Sequence, residues 1–117
     1  MKVLIIDDSD LIRKRLISKL SIYNNIKVIG LAGEFYKILD KINEYDPDAV
    51  ILDIHLSGRN GIEILRNIKK LKRNITVIVL TANSNTKCRK AYMKYGANEF
   101  LDKVRDFEKI PEILLDW

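Results

Sequence analysis

The sequence predicts an α/β protein in which helices flank a parallel sheet. Short β-branched or aromatic runs alternate along the chain with segments whose apolar residues recur at helical spacing. The connections between those runs are too long for hairpins but suit parallel crossovers. The chain has 117 residues, 47% of them hydrophobic, with only 2 Pro and 5 Gly, so one domain with a sizeable core is expected over residues 1–117.

The first run, Val3-Leu4-Ile5-Ile6, is apolar on consecutive positions, as a strand buried on both faces requires. Ile12, Leu16 and Leu20 then form a helical stripe, with Ser9 or Asp10 as its cap and Asn24-Asn25 as its end. Val28-Ile29 is the second strand. Phe35, Ile38, Leu39 and Ile42 follow at i, i+3, i+4 and i+7, and Asp46-Pro47-Asp48 forms the turn into the third strand, Ala49-Val50-Ile51-Leu52. Ile62, Leu65 and Ile68 mark the third helix and Val77-Ile78-Val79-Leu80 the fourth strand. Cys88, Ala91, Tyr92 and Tyr95 repeat the helical spacing, and Gly96 closes that helix. Phe100-Leu101 is the fifth strand, and Ile110, Ile113 and Leu114 mark a last, shorter helix.

Composition excludes several classes. The apolar content rules out a disordered or collagen-like chain. A lone Cys88 forms no internal disulfide and belongs to no C-x-x-C metal or redox site, so a reducing cytoplasm is the expected compartment. The N-terminal apolar run is stopped by Asp7, Asp8 and Asp10, unlike a signal peptide, and no stretch reaches the ~18–20 apolar residues of a membrane span. A formal net charge of +5 comes from 21 Lys+Arg against 16 Asp+Glu. Its basic runs, Arg13-Lys14-Arg15-Lys19, Lys69-Lys70-Lys72-Arg73 and Lys87-Arg89-Lys90-Lys94, are mixed with apolar residues at helical spacing and read as solvated helix faces. No direct contact with nucleic acid or membrane is expected.

In open sheets of this type ligands bind beyond the carboxyl ends of the strands. There the sequence places Asp7-Asp8 after the first strand, Asp53 after the third, Thr81-Ala82 after the fourth and Lys103 after the fifth. Each feature alone is ordinary capping or turn chemistry. Together they are a site. Three close carboxylates repel unless a cation sits among them, and a hard oxygen set with few protein ligands suits Mg²⁺. Lys103 offers a point charge for a phosphoryl group, and the Thr81 hydroxyl and Ala82 N–H offer donors to its oxygens. Asp53 is then either a metal ligand or a carboxylate nucleophile that forms an acyl phosphate.

Four segments in this order, IIDDSDLIRKRL, PDAVILDIHLSGRNGIEIL, VIVLTA and YGANEFLDK, resemble the receiver domain of two-component response regulators over nearly the whole chain. The resemblance implies a flavodoxin-like, doubly wound, five-stranded parallel sheet of order 2-1-3-4-5 with five helices. It implies Asp53 as phosphoacceptor and Mg²⁺ as cofactor, held by Asp8, Asp53 and the His55 backbone carbonyl, with Asp7 orienting a metal-bound water. It further implies Lys103 as the phosphoryl-binding lysine and Thr81 with Phe100 as the switch pair, Ala82 being the small residue after that Thr. The expected partners are a sensor histidine kinase or phosphotransfer protein, and a downstream protein or output domain that reads the face around the last two strands. The chain would be no enzyme beyond catalysing its own phosphorylation and dephosphorylation.

Two positions depart from the family's usual pattern: Ser57 stands where Pro is frequent, and Val104 where Pro almost always follows the lysine. A cis peptide costs ~0.5–1 kcal/mol before Pro but ~2.5–4 kcal/mol before other residues. A trans Lys103-Val104 bond is therefore expected, with the loop from Asp102 to Asp106 rearranged so that Lys103 still reaches Asp53. The same departures define an alternative, a receiver-like binding module that does not switch by phosphorylation. A dehalogenase-type phosphatase would need an acid where His55 stands, and a flavodoxin a phosphate loop where Asp7-Asp8 would repel the cofactor.

Overall fold

The computed structural model describes residues 1–7, 9–32, 35–53, 61–82 and 86–116, with the side chains of 30–32, 35 and 36 left aside. Among these, β1 (Lys2–Ile6), α1 (Asp10–Ser21), β2 (Lys27–Ala32), α2 (Phe35–Tyr45), β3 (Ala49–Asp53), α3 (Gly61–Leu71), β4 (Thr76–Thr81), α4 (Thr86–Lys94), β5 (Glu99–Asp102) and α5 (Ile110–Asp116) alternate as expected, with one 3₁₀ turn (Phe107–Lys109) leading into α5. The strands form one sheet in the order β2-β1-β3-β4-β5, and every pairing is parallel.

The pleat sends successive side chains to opposite faces, so each central strand feeds two cores. Leu4, Ile6, Val50, Leu52, Val77, Val79 and Phe100 pack with Ile38 and Ile42 of α2, Ile64, Leu65 and Ile68 of α3, and Tyr92 of α4. Their neighbours Val3, Ile5, Ala49, Ile51, Ile78, Leu80 and Leu101 pack with Leu16 and Leu20 of α1 and with Ile110 and Leu114 of α5. Fully buried residues along β3 and nearly the whole of β4 explain why those runs are apolar at every position.

Local signals place the element ends. Ser9 caps α1 by accepting the Ile12 N–H at 3.3 Å. That helix stops at Ser21, with Ile22 as its cap, before the Asn24-Asn25 pair expected to end it. β2 runs on past Val28-Ile29 through Gly30, because its partner β1 continues the pairing up to Ala32. Asp46 takes a positive φ of 48° before Pro47, and the Asp48 carboxylate accepts the Lys2 N–H at 2.7 Å, which ties this turn to the start of β1. Gly96, at φ 110°, lets the chain reverse after α4 and bond the Ala97 N–H to the Tyr92 carbonyl. Tyr95, which shares the helical spacing of Cys88, Ala91 and Tyr92, lies past the end of α4 at Lys94, so its ring falls on the turn and stays 37% exposed.

Candidate functional site

Because all five strands are parallel, their carboxyl ends share one edge, and the residues that follow them meet there. Asp7, Asp53 and Thr81 are the polar residues buried among the described ones, at 1%, 2% and 0% exposure. Burial of this kind is costly unless the groups are paired. Lys103, beyond β5, supplies the pairing: its Nζ lies 3.0 Å from Asp53 Oδ2 and 3.4 Å from Asp7 Oδ2.

Asp7 is incompletely satisfied. Its Oδ1 accepts the Ser9 N–H at 2.9 Å, and Arg13 Nη1 donates to its backbone carbonyl at 2.6 Å. Among the described residues its buried Oδ2 accepts no hydrogen bond, since the Lys103 ammonium at 3.4 Å is an ion contact only. Burial lifts the Asp7 carboxyl above the ordinary carboxylate range, opposed by the Ser9 N–H; the nearby Asp53 charge lifts it further, and Lys103 pulls it back. A buried carboxylate oxygen with no donor, beside a second buried carboxylate, is a hard-oxygen arrangement that fits Mg²⁺. Asp8 and His55, the other expected ligands, lie outside the described residues, as does Ser57.

The loop that carries Lys103 solves the absence of Pro. The Lys103-Val104 peptide is trans, as expected. Asp102 Oδ1 accepts the N–H groups of Val104 at 2.8 Å and Arg105 at 2.9 Å, an Asx turn. Asp106 Oδ2 accepts the Asp102 N–H at 2.9 Å, and the Lys103 N–H donates to the Thr81 carbonyl at 2.8 Å. Two carboxylates thus hold from the side chain a turn that a proline ring would have set. The Asp102 N–H first, then the Lys109 ammonium by hydrogen bond and charge and the Arg105 charge, keep Asp106 below the ordinary carboxylate range against the opposing effect of burial. Motif reading does not single out Asp102 and Asp106 as site residues, although an acid two residues before an N–H that needs a partner is a readable Asx signal.

This loop yields a prediction. Asp102→Ala removes the acceptor of two loop N–H groups and frees the backbone on which Lys103 stands. We expect acetyl-phosphate-driven phosphorylation to slow by about tenfold, since a misplacement near 1 Å can cost more than that. Asp102→Asn, which keeps an acceptor oxygen, should retain most of the rate. Equal rates in the Ala variant would show that Lys103 needs no help from Asp102.

Thr81 closes β4 in register with Asp102, and Ala82 follows it, exposed on the rim. Phe100 lies inward at 3% exposure, its ring centroid 5.7 Å from that of Tyr92 on α4. Arg89 of α4 donates from Nη1 to the Phe100 carbonyl at 3.1 Å, so α4 is tied to β5 beside the expected switch ring by a residue that periodicity does not mark.

A fold with this strand order and an acidic pocket facing a lysine defines a class, the phosphoacceptor modules built on the doubly wound sheet. The chain belongs to the response regulator receiver domain family, whose family model matches residues 3–115. It is 30% identical over 117 residues to the transcriptional regulatory protein MalR of Bacillus subtilis, covering 100% of this chain and 50% of that protein. It is 36% identical over 105 residues to a protein-glutamate methylesterase/protein-glutamine glutaminase of Clostridium acetobutylicum, covering 88% of this chain and 30% of that one. The chain thus spans half or less of the length of these curated relatives, and what they match is the receiver. Among solved structures it is similar to CheY in the CheX-CheY-BeF3-Mg complex of Borrelia burgdorferi, with TM-score 0.88, 29% identity and coverage of 99% and 87%. The isolated receiver of RcsB from Salmonella enterica shares the fold at TM-score 0.91 and 22% identity, covering 98% of this chain and 86% of that one. This chain is therefore a receiver domain of two-component signalling, a phosphoacceptor switch module. Among the described residues no helix is long and apolar enough to cross a membrane.

Proposed function

We propose that this receiver accepts a phosphoryl group on Asp53 from a histidine kinase or phosphotransfer protein, and passes the signal to a downstream protein or output domain. The observation that carries the assignment is the 3.0 Å contact between Lys103 Nζ and Asp53 Oδ2 in a buried pocket at the carboxyl edge of the sheet. In the transfer, an Asp53 carboxylate oxygen forms a bond to phosphorus while the bond to the donor nitrogen, or to an acyl oxygen, breaks in line with it. The donor leaves with that bond's electron pair.

Lys103 is placed to exchange its contact with the Asp53 carboxylate for one with a phosphoryl oxygen. The Thr81 hydroxyl and the Ala82 N–H are the donors for the remaining oxygens, by their place at the end of β4. Asp7 and Asp53, with Asp8 and the His55 carbonyl near them in sequence, are the residues that would hold Mg²⁺, which neutralises charge on the phosphoryl oxygens. The presence of BeF3 and Mg in the Borrelia CheY complex supports that reading. Movement of Thr81 toward a phosphoryl group changes the space beside Phe100, and the Arg89 bond to the Phe100 carbonyl gives α4 a reason to follow. The face around β4 and β5 is the surface a partner would read. The compartment we assign is the cytoplasm.

Incubation with acetyl phosphate and Mg²⁺, followed on a Phos-tag gel and by intact mass, tests the proposal. One added phosphoryl group, lost on addition of a chelator before the donor, is the expected outcome. Absence of any adduct with either acetyl phosphate or a phosphorylated kinase domain would favour the binding module that does not switch.

A further inference from the structure

Charge is unevenly divided along this chain. Between residues 61 and 98 stand nine Lys and Arg (Arg66, Lys69, Lys70, Lys72, Arg73, Lys87, Arg89, Lys90 and Lys94) against the single acid Glu63, a net +8, so the rest of the chain carries −3 of the total +5. Taken run by run these residues read as solvated helix faces. The fold gathers part of them. Arg66, Lys69, Lys70 and Arg73 stand at i, i+3, i+4 and i+7 along one face of α3 and its exit, and with Lys94, Tyr95 and Gly96 they line an open groove of about 710 Å³.

Lys69 serves the fold: its Nζ donates to the Ile75 carbonyl at 2.6 Å and to Asn98 Oδ1 at 2.9 Å. These contacts place the groove at the amino edge of β4 and β5, the edge opposite Asp53. Arg66, Lys70, Arg73 and Lys94 are exposed, and among the described residues no carboxylate pairs with any of them. The Arg66 guanidinium sits 5.0 Å and the Lys94 ammonium 5.7 Å from the centre of the Tyr95 ring, which is itself 37% exposed. Four like charges gathered on one groove repel one another, and an anion relieves that repulsion.

We propose that this groove binds the phosphate backbone of a single-stranded nucleic acid. The core of a protein interface is depleted of charged residues, and Lys is depleted throughout, whereas five of the seven residues lining this groove are Lys or Arg, three of them Lys, with no aliphatic anchor. A membrane surface is flat and rewards inserted apolar side chains, which the concave groove lacks. A cationic groove with an exposed aromatic beside it is the arrangement that tracks a single-stranded backbone and stacks a base.

Fluorescence anisotropy of end-labelled oligo(U) and oligo(dT) with the whole chain tests this. Binding should weaken with salt at a slope of log K on log salt near −2.8, about 0.7 for each of the four exposed cations. Lys70→Glu/Arg73→Glu should weaken it by at least about tenfold, and Tyr95→Ala by a smaller factor. Lys14→Glu/Lys27→Glu, equal in net charge but on other faces, should change it little. Acetyl-phosphate labelling of Asp53 in each variant verifies the fold independently. A preference between the two oligomers separates RNA from DNA as the source. The proposal is overturned by no measurable binding, by equal losses in the groove and control variants, or by tighter binding of an oligo-glutamate peptide, a DNA duplex or anionic vesicles than of either single strand.

Discussion

Asp53→Asn is expected to leave this receiver folded and unable to take up a phosphoryl group. The amide is isosteric with the carboxylate, so the packing of a side chain only 2% exposed is kept, and its carbonyl oxygen still accepts from Lys103 Nζ, now 3.0 Å from Asp53 Oδ2. What is lost is the anionic oxygen that attacks phosphorus, and an amide is no substitute nucleophile. Intact mass after acetyl phosphate and Mg²⁺ treatment should show no adduct, against one phosphoryl group on the parent chain. Borohydride trapping of the parent should place the label at Asp53. Should the Asn variant keep the same stoichiometry, another carboxylate is the acceptor, and Asp7, which also faces Lys103, becomes the first to test.

How far the site could be read from sequence follows from what parallel strands enforce. Once Val3-Leu4-Ile5-Ile6, Ala49-Val50-Ile51-Leu52 and Val77-Ile78-Val79-Leu80 are taken as buried parallel strands, Asp7, Asp53 and Thr81 must emerge at one edge, and they do. The trans peptide at Val104 is also legible, because its energetic cost depends only on residue type. The means by which Lys103 reaches the pocket is not. It depends on which of several nearby acids takes which backbone N–H, and the choice of Asp102 for Val104 and Arg105, and of Asp106 for Asp102, follows from three-dimensional closure. Tyr95 misleads for a related reason: its i+7 spacing continues the α4 stripe, but the helix ends one residue earlier and Gly96 turns the chain away. The basic runs are separate in sequence, and only the packing of α3 beside α4 sets Arg73 and Lys94 on one groove.

In the absence of metal, Asp7→Asn should make the chain more stable at neutral pH while impairing its phosphorylation. Among the described residues Asp7 Oδ2 is buried without a hydrogen-bond donor, close to a second buried carboxylate and to one ammonium that contacts both. An unsatisfied buried polar group costs about 1–3 kcal/mol. The Asn carbonyl can keep the Ser9 N–H, and the Asn amide can donate toward Asp53 where the carboxylate only repels it.

The pH dependence has a definite sign. Burial, first, and the Asp53 charge raise the Asp7 carboxyl in the folded chain above its ordinary value of 3.8. Between the unfolded and folded values the native state therefore holds more protons than the unfolded one, so stability falls as pH rises through that window. Above the folded value the penalty is complete and constant. In chelator, thermal melts at pH 7 should show Asp7→Asn stabilised by about 1–3 kcal/mol, at roughly 4–8 °C per kcal/mol for a domain near this size. As pH falls through the folded value the two chains should converge, because the parent's Asp7 takes up a proton and can then itself donate to Asp53. Mg²⁺ added at pH 7 should raise the melting temperature of the parent more than that of the variant, since the carboxylate oxygen that lacks a donor is also the one open to a cation. A variant less stable than the parent at pH 7 in chelator would mean that the Asp7 contact with Lys103 outweighs burial and repulsion, and that this pocket stores no electrostatic strain for phosphorylation to relieve.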